Sequence, residues 1–164
     1  MDMTEKHTFT KPVDVVWEMF CTEAAHVAKF ESMGHREIKV LKFERDDDGV
    51  LVEVQRLVDM ELPGFAKKVM KPTNTVVSTD RWKANADGSY GGTFLVDTTG
   101  APLDVKGTTI LRGEGDTTKY EIFVEVKVNV PLIGGRIANF AKGVIDKQFE
   151  HEFAAGDAWL AEHA

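Results

Sequence analysis

With 164 residues, 43% of them hydrophobic and 29% charged, the chain is long enough and apolar enough for one globular domain with a core of its own. A net charge of −7 excludes the overall basic field by which a protein binds nucleic acid or an anionic membrane. The single cysteine, Cys21, excludes an intrachain disulfide and a cysteine-rich metal site. The stretch from Met1 to His7 is polar, without a signal-peptide core, and no apolar run approaches the ~20 residues of a membrane span. The expected location is the cytoplasm.

Residues 3–9 read as a short strand. Pro12, with Asp14 behind it, opens a helix whose apolar face is Val13, Val16, Trp17 and Phe20. A second helix, Glu23 to Ser32, carries Ala24, Val27, Ala28 and Phe30 and ends at Gly34. Arg36–Arg45 is a strand whose change of phase marks a bulge. Asp46-Asp47-Asp48-Gly49 turns the chain and lacks the ligand spacing and closing glutamate of a calcium loop. Val50 to Leu62 alternates, with Arg56 interrupting the apolar face of Val50, Val52, Val54, Val58, Met60 and Leu62. Leu62-Pro63-Gly64-Phe65 is a loop with an apolar tip, followed by Lys67, Lys68 and Lys71.

Further strands are expected over Thr73–Ala84, Tyr90–Asp97, Asp104–Arg112 and Lys119–Val130, with turns at 85–88, 98–102 and 113–116. The last is the most regular: Tyr120, Ile122, Val124, Val126, Val128 and Val130 face one way. From Ile133 to His163 the period changes to that of a helix. Ile133, Ile137, Phe140, Ala141, Val144, Ile145, Phe149, Phe153, Trp159 and Leu160 form one side, and Arg136, Asn139, Asp146, Glu150 and Asp157 the other. Roughly thirty residues at ~1.5 Å each make a rod on the order of 45 Å long. Its apolar arc covers more than half the circumference, so it needs a broad surface, which the preceding strands supply as a curved sheet. Hairpin turns make that sheet antiparallel and the class α+β.

In this order of elements the chain resembles the START-like, or SRPBCC, helix-grip superfamily, which includes the birch-pollen allergens and polyketide cyclases. Thr10-Lys11-Pro12-Val13-Asp14-Val15-Val16-Trp17 is similar to that superfamily's first-helix opening. Val130-Pro131-Leu132-Ile133-Gly134-Gly135-Arg136-Ile137 and the final Ala158-Trp159-Leu160 look like an uncharacterised actinobacterial branch. The resemblance implies a single domain over residues 1–164. It further implies a curved sheet of about seven strands wrapped around the C-terminal helix, two short helices after the first strand, and a cavity for a hydrophobic ligand. It implies no one chemistry.

Chemical motifs are nearly absent. His7, His26, His35, His151 and His163 are scattered. His151-Glu152 is no zinc motif, because position 155 is Ala. Gly113-Glu114-Gly115 lies between strands and is no nucleotide loop. Cys21 reads as a structural thiol. No catalytic residue, metal or cofactor is assigned.

Faces say more than motifs. On the C-terminal helix Ile137, Ala141, Ile145 and Trp159 lie near the centre of the apolar arc, with Gln148 and Glu152 among them. On the strands Arg56 shares a face with Val58 and Met60, and Asp80 with Val76 and Trp82. Buried polar groups are costly unless paired, so these are candidates for orienting a ligand. The expected ligand-binding set is Arg56, Val58, Met60, Phe65, Asp80, Trp82, Phe94, Tyr120, Ile122, Ile137, Ala141, Ile145, Gln148 and Glu152. Arg56 cannot shed its charge, so an acidic partner is expected for it, Glu152 or Asp80. The loop at 62–65 is a candidate lid.

The expected partner is a hydrophobic small molecule, a lipid, isoprenoid or polyketide-like compound, without nucleic acid and without stable membrane insertion. The residues name no protein partner. Two alternatives stand beside carriage: a cyclase or aromatase in which Arg56, Asp80 or Glu152 positions or protonates a polyketide, and a protein-interaction module with a collapsed cavity.

Overall fold

The computed structural model describes all 164 residues. The elements run β1 (Asp2–Phe9), α1 (Val13–Phe20), α2 (Glu23–Ser32), β2 (Arg36–Arg45), β3 (Gly49–Asp59), β4 (Thr73–Ala84), β5 (Tyr90–Thr99), β6 (Leu103–Glu114), β7 (Thr117–Val128) and α3 (Gly134–His163). The strands form one sheet in the order β1-β7-β6-β5-β4-β3-β2. Every neighbouring pair is antiparallel. This is the helix-grip arrangement read from the sequence. The bulge in β2 is present as two register shifts, between Arg36 and Lys39 and between Val40 and Lys42.

Several boundaries differ from the reading by one to three residues: β5 and β6 run on to Thr99 and Glu114, past the expected Asp97 and Arg112. β3 stops at Asp59 rather than Leu62, because its partner β4 begins at Thr73 behind Pro72, which has no N–H to extend the ladder. The Met60 N–H closes the loop by donating to the Pro72 carbonyl at 2.8 Å. β7 spans 117–128 rather than 119–130. Its hairpin with β6 is a two-residue turn, Gly115-Asp116, with the positive φ (60°) at Gly115 that such turns require.

Residues of the inner face cross the sheet in rows. One row runs Val50, Trp82, Gly92, Thr109, Ile122, Glu5, and the next runs Val52, Asp80, Phe94, Gly107, Val124, Met3. In each, a large aromatic lies directly opposite a glycine: Trp82 against Gly92, Phe94 against Gly107. A Cβ at Gly92 would stand 3.0 Å from the Trp82 ring and 2.7 Å from the Thr109 hydroxyl. The ring covers the bare backbone, a device that lets a sheet bend without opening a hole.

The core divides along α3. At the α1 end aromatic rings pack together: Trp17 stacks on Tyr90 at 4.1 Å, and Phe20 lies 5.0 Å from Trp82 and 5.4 Å from Tyr120. At the N-terminal end of α3 a smaller cluster of Ala66, Met70 and Ile137 fills the space under the loop between β3 and β4. Between these two plugs the gap from helix to sheet is not filled.

Gly107→Ala should destabilise the protein by ~1–3 kcal/mol, since its Cβ would strike the Phe123 carbonyl and come within 2.6 Å of the Phe94 ring. Gly64→Ala, with nothing within 4 Å, is the control and should be near neutral. Urea unfolding of the two variants measures the difference.

Candidate functional site

The unfilled gap is a cavity of about 140 Å³, and 19 of the 29 residues around it are hydrophobic, so its character is apolar. The sheet supplies Val58, Val76, Val96, Leu103, Val105 and Ile122; α3 supplies Phe140, Ala141, Val144, Ile145 and Phe149. Twelve of the fourteen residues picked from the sequence line it: Arg56, Val58, Met60, Asp80, Trp82, Phe94, Tyr120, Ile122, Ala141, Ile145, Gln148 and Glu152. Phe65 and Ile137 lie outside its wall. Ile137 is fully buried against Ala66 and Met70, one level beyond the cavity. Phe65 meets Phe140 edge-on at 6.5 Å and carries the Arg136 guanidinium over its ring at 4.1 Å. The loop reaches the cavity through Met60 and Met70 instead.

Arg56 is only 6% exposed and makes no ion pair, contrary to the expected acidic contact. Its Nη1–H donates to Ser78 Oγ at 2.6 Å, its Nε–H to His35 Nδ1 at 3.2 Å, and its guanidinium lies 4.0 Å over the Phe30 ring. Neutral acceptors and a π-face take the place of a carboxylate. Burial lowers the Arg56 pKa to about 10, opposed by the charges of Glu152 and Asp80, so it stays a cation at neutral pH. His35 is held neutral by burial and by the charges of Arg56 and Lys29, its pKa down to about 4, which leaves Nδ1 free to accept.

The remaining polar groups look into the cavity. Asp80, between Val52 and Phe94 in its row, has no hydrogen-bond partner; burial pushes its carboxyl up to about 6, against the pull of Lys29. Tyr120 is raised well above the usual range by burial and by Glu152 and Asp80, and keeps its hydroxyl proton. Thr109 Oγ1 is buried without a partner. Lys29 and Glu152 face each other at 3.9 Å. His26, neutral through burial with a pKa of about 3, donates Nε2–H to the Phe20 carbonyl at 2.7 Å. Phe20, His26, Lys29, Tyr120 and Glu152 also border a second space of about 40 Å³ under Phe9, Phe153 and Trp159. The Lys29–Glu152 pair therefore stands between two chambers.

The sequence reading missed His26, Lys29, Phe30 and Ser78. A signal was present for each. The first three are spaced three and four apart and share one face of α2, and Ser78 falls midway between Val76 and Asp80 in the alternation of β4.

A curved antiparallel sheet closed by one long helix, with two short helices after the first strand, is the START-like, or helix-grip, fold. The chain belongs to the family described as a protein of unknown function, DUF2505, whose model matches residues 4–160. TTHA0849 from Thermus thermophilus is similar in structure, with a TM-score of 0.69, 11% identity and full coverage of both chains. The ZhuI aromatase/cyclase from Streptomyces sp. R1128 gives 0.66 at 14% identity, over 98% of this chain and 93% of that one. A START superfamily protein from Mycobacterium smegmatis gives 0.57 at 9%, over 99% of each. At these identities the likeness is one of fold. No curated protein matches the chain in sequence.

Two measurements follow from this geometry. Ser78→Ala removes a bond to a buried charge and should cost ~1.5–3 kcal/mol in chemical unfolding. Asp80 has a raised pKa, so what it contributes to stability is complete below its ordinary value of 3.8 and is lost as pH rises through about 6. Asp80→Asn should therefore be more stable than the parent at pH 8, with the advantage vanishing toward pH 4. The difference between the two proteins is the quantity to measure. Glu5, raised to about 7 by burial and by Asp146, titrates in the same window in both.

Proposed function

We propose that the protein binds and carries a hydrophobic small molecule whose polar end is a hydrogen-bond donor, a hydroxyl or phenol rather than a carboxylate. The observation that carries this reading is the Asp80 carboxyl, without a hydrogen-bond partner in a cavity lined mostly by hydrophobic residues. Of the two cations in the wall, Arg56 donates its Nε–H and Nη1–H to His35, Val54 and Ser78 and lies over Phe30, and Lys29 faces Glu152, so that only the Arg56 Nη2 is without a protein partner. Asp80 and Glu152 repel a carboxylate, while they accept from a hydroxyl. The names of the structural relatives, a START superfamily protein and an aromatase/cyclase, support a ligand of this general kind.

Size refines the reading. A volume of about 140 Å³ matches the ~150 Å³ that takes one benzene-sized ring. A longer chain needs the helix and sheet to part. The loop that lends Met60 and Met70 to the wall is the part of the rim placed to move, and each methylene then buried returns ~0.8 kcal/mol.

A second reading, a cyclase-type enzyme, rests on Asp80 as well. A carboxyl pushed up to about 6 by burial, lining the same largely apolar site as a protonated Tyr120, has the properties of a general acid.

Displacement of an uncharged fluorescent probe, N-phenyl-1-naphthylamine, tests carriage. An alkylphenol should displace it about tenfold better than a fatty acid of equal length, and Asp80→Asn should erase most of that preference. Ala141→Trp should fold and lose the probe, because Ala141 lies in the cavity wall. Unchanged probe affinity in that variant would put the ligand elsewhere, and no probe binding by the parent would favour the collapsed interaction module.

A further inference from the structure

We propose that the end of the molecule formed by the β3–β4 loop and the turn into α3 docks on the surface of an anionic lipid bilayer. Charge is distributed unevenly along the chain. Residues 60–72 hold Lys67, Lys68 and Lys71 against Glu61, and residues 129–140 hold Arg136 against no acid. These two segments carry +3 within a total of −7, which leaves −10 on the remainder. Lys142, one turn further on, sits in the field of Glu5 and is left out of the count.

The two segments make one surface. The Phe65 ring of the first lies between Phe140 and the Arg136 guanidinium of the second, and Ala66 and Met70 pack with Ile137 beneath them. All four cations are exposed, and none belongs to an ion pair. The acids near this end are engaged or turned away. Asp59 is held by Arg36 and Thr73, and Asp104 accepts from Asn129 on the outer face of the sheet, where Asp97 is its cross-strand neighbour. Within a screening length of ~8–10 Å an approaching surface meets the lysines before it meets the acidic remainder.

At the tip stands Leu132, 104% exposed, the most exposed large hydrophobic side chain in the protein. Its φ of 69° is one a leucine rarely adopts, and the Ile133 N–H donates across it to the Pro131 carbonyl at 2.8 Å. This three-residue turn is of the strained kind, and it holds the leucine away from the core it would otherwise join. An apolar side chain held outward, next to an Ile133 that packs on the same cluster as Phe65 and Val69 of the lysine-bearing loop, matches a bilayer surface, where phosphate lies directly above the acyl layer. The isolated leucine has no adjoining apolar face with which to fill a protein groove. Met60, Met70 and Phe140 of the same end line the cavity, so docking would set its rim against the bilayer.

Co-sedimentation of the full chain with vesicles tests this. Binding is expected to phosphatidylcholine vesicles containing phosphatidylglycerol, not to phosphatidylcholine alone, and should weaken as salt is raised. The double variant Lys67→Glu, Lys68→Glu should bind about tenfold more weakly or worse. Leu132→Asp should also lose binding, while Leu132→Trp should keep it and show a blue shift in emission on the vesicles relative to the parent. Circular dichroism checks that each variant is folded. Indifference to phosphatidylglycerol at low salt, full binding by the lysine double variant, or an unmoved emission of Leu132→Trp would each overturn the proposal. Capture by polyglutamate that Leu132→Asp leaves intact, with no vesicle binding, would assign the patch to an acidic protein and overturn it as well.

Discussion

A guanidinium that cannot lose its proton is set into the inner face of the sheet, and the neighbouring elements are arranged around it. Arg56 draws Phe30 over its face and takes His35 and Ser78 as acceptors. Phe30 is the last large residue of α2, so this contact fixes where that helix lies on the sheet. With α2 in place, Lys29 points across at Glu152 on α3, and His26 tucks under the Phe20 carbonyl. The polar end of the cavity is thus a consequence of how one buried charge is accommodated. Solvating Arg56 with neutral groups has a further effect. No carboxylate is used up in pairing it, and Asp80 is left free in the cavity wall.

The cavity itself follows from how bulk is distributed. Aromatic rings crowd the α1 end of the core, and a cluster of alanine, methionine and isoleucine fills the other. Between them the strands line the cavity chiefly with valines and threonines, beside Phe94, Leu103 and Ile122, and the helix sets the small Ala141 over it. Close packing is the rule in protein interiors, and an open volume of this size has to be held open by something stiff. Here the stiffness comes from the seven-stranded sheet, with aromatic rings across Gly92 and Gly107, and from the thirty-residue helix laid over it.

Much of this was legible in the sequence, for reasons that also explain the rest. The strict alternation of Tyr120 to Val128 and the three-four spacing of α3 are direct records of one-sided burial, so strands, helix and class could be read from them. Alternation also placed Asp80 and Arg56 on the inner face. Pattern gives direction but not depth. Ile137 points inward as Ala141 does, yet lies one turn past the end of the cavity, and Phe65 packs against α3's flank. Pattern also gives faces but not distances, so Arg56 was expected to touch an acid that it only feels through space. His26 and Lys29 escaped notice because α2 was read for its apolar residues, and its inward face is partly polar.

The position of Lys29 and Glu152 between a larger and a smaller chamber bears on which ligands can be told apart. A guest confined to the first chamber leaves the two charges together. Under the proposed carriage, a guest long enough to reach the second would pass the residues common to both, this pair among them, and parting charges that are mostly removed from water costs more than the ~0.8 kcal/mol that a further methylene returns. Affinity would then not climb smoothly along a homologous series. It would rise, break at the length that meets the pair, and recover only for guests long enough to fill the space beyond, so that the protein sorts chains by a threshold rather than by a gradient.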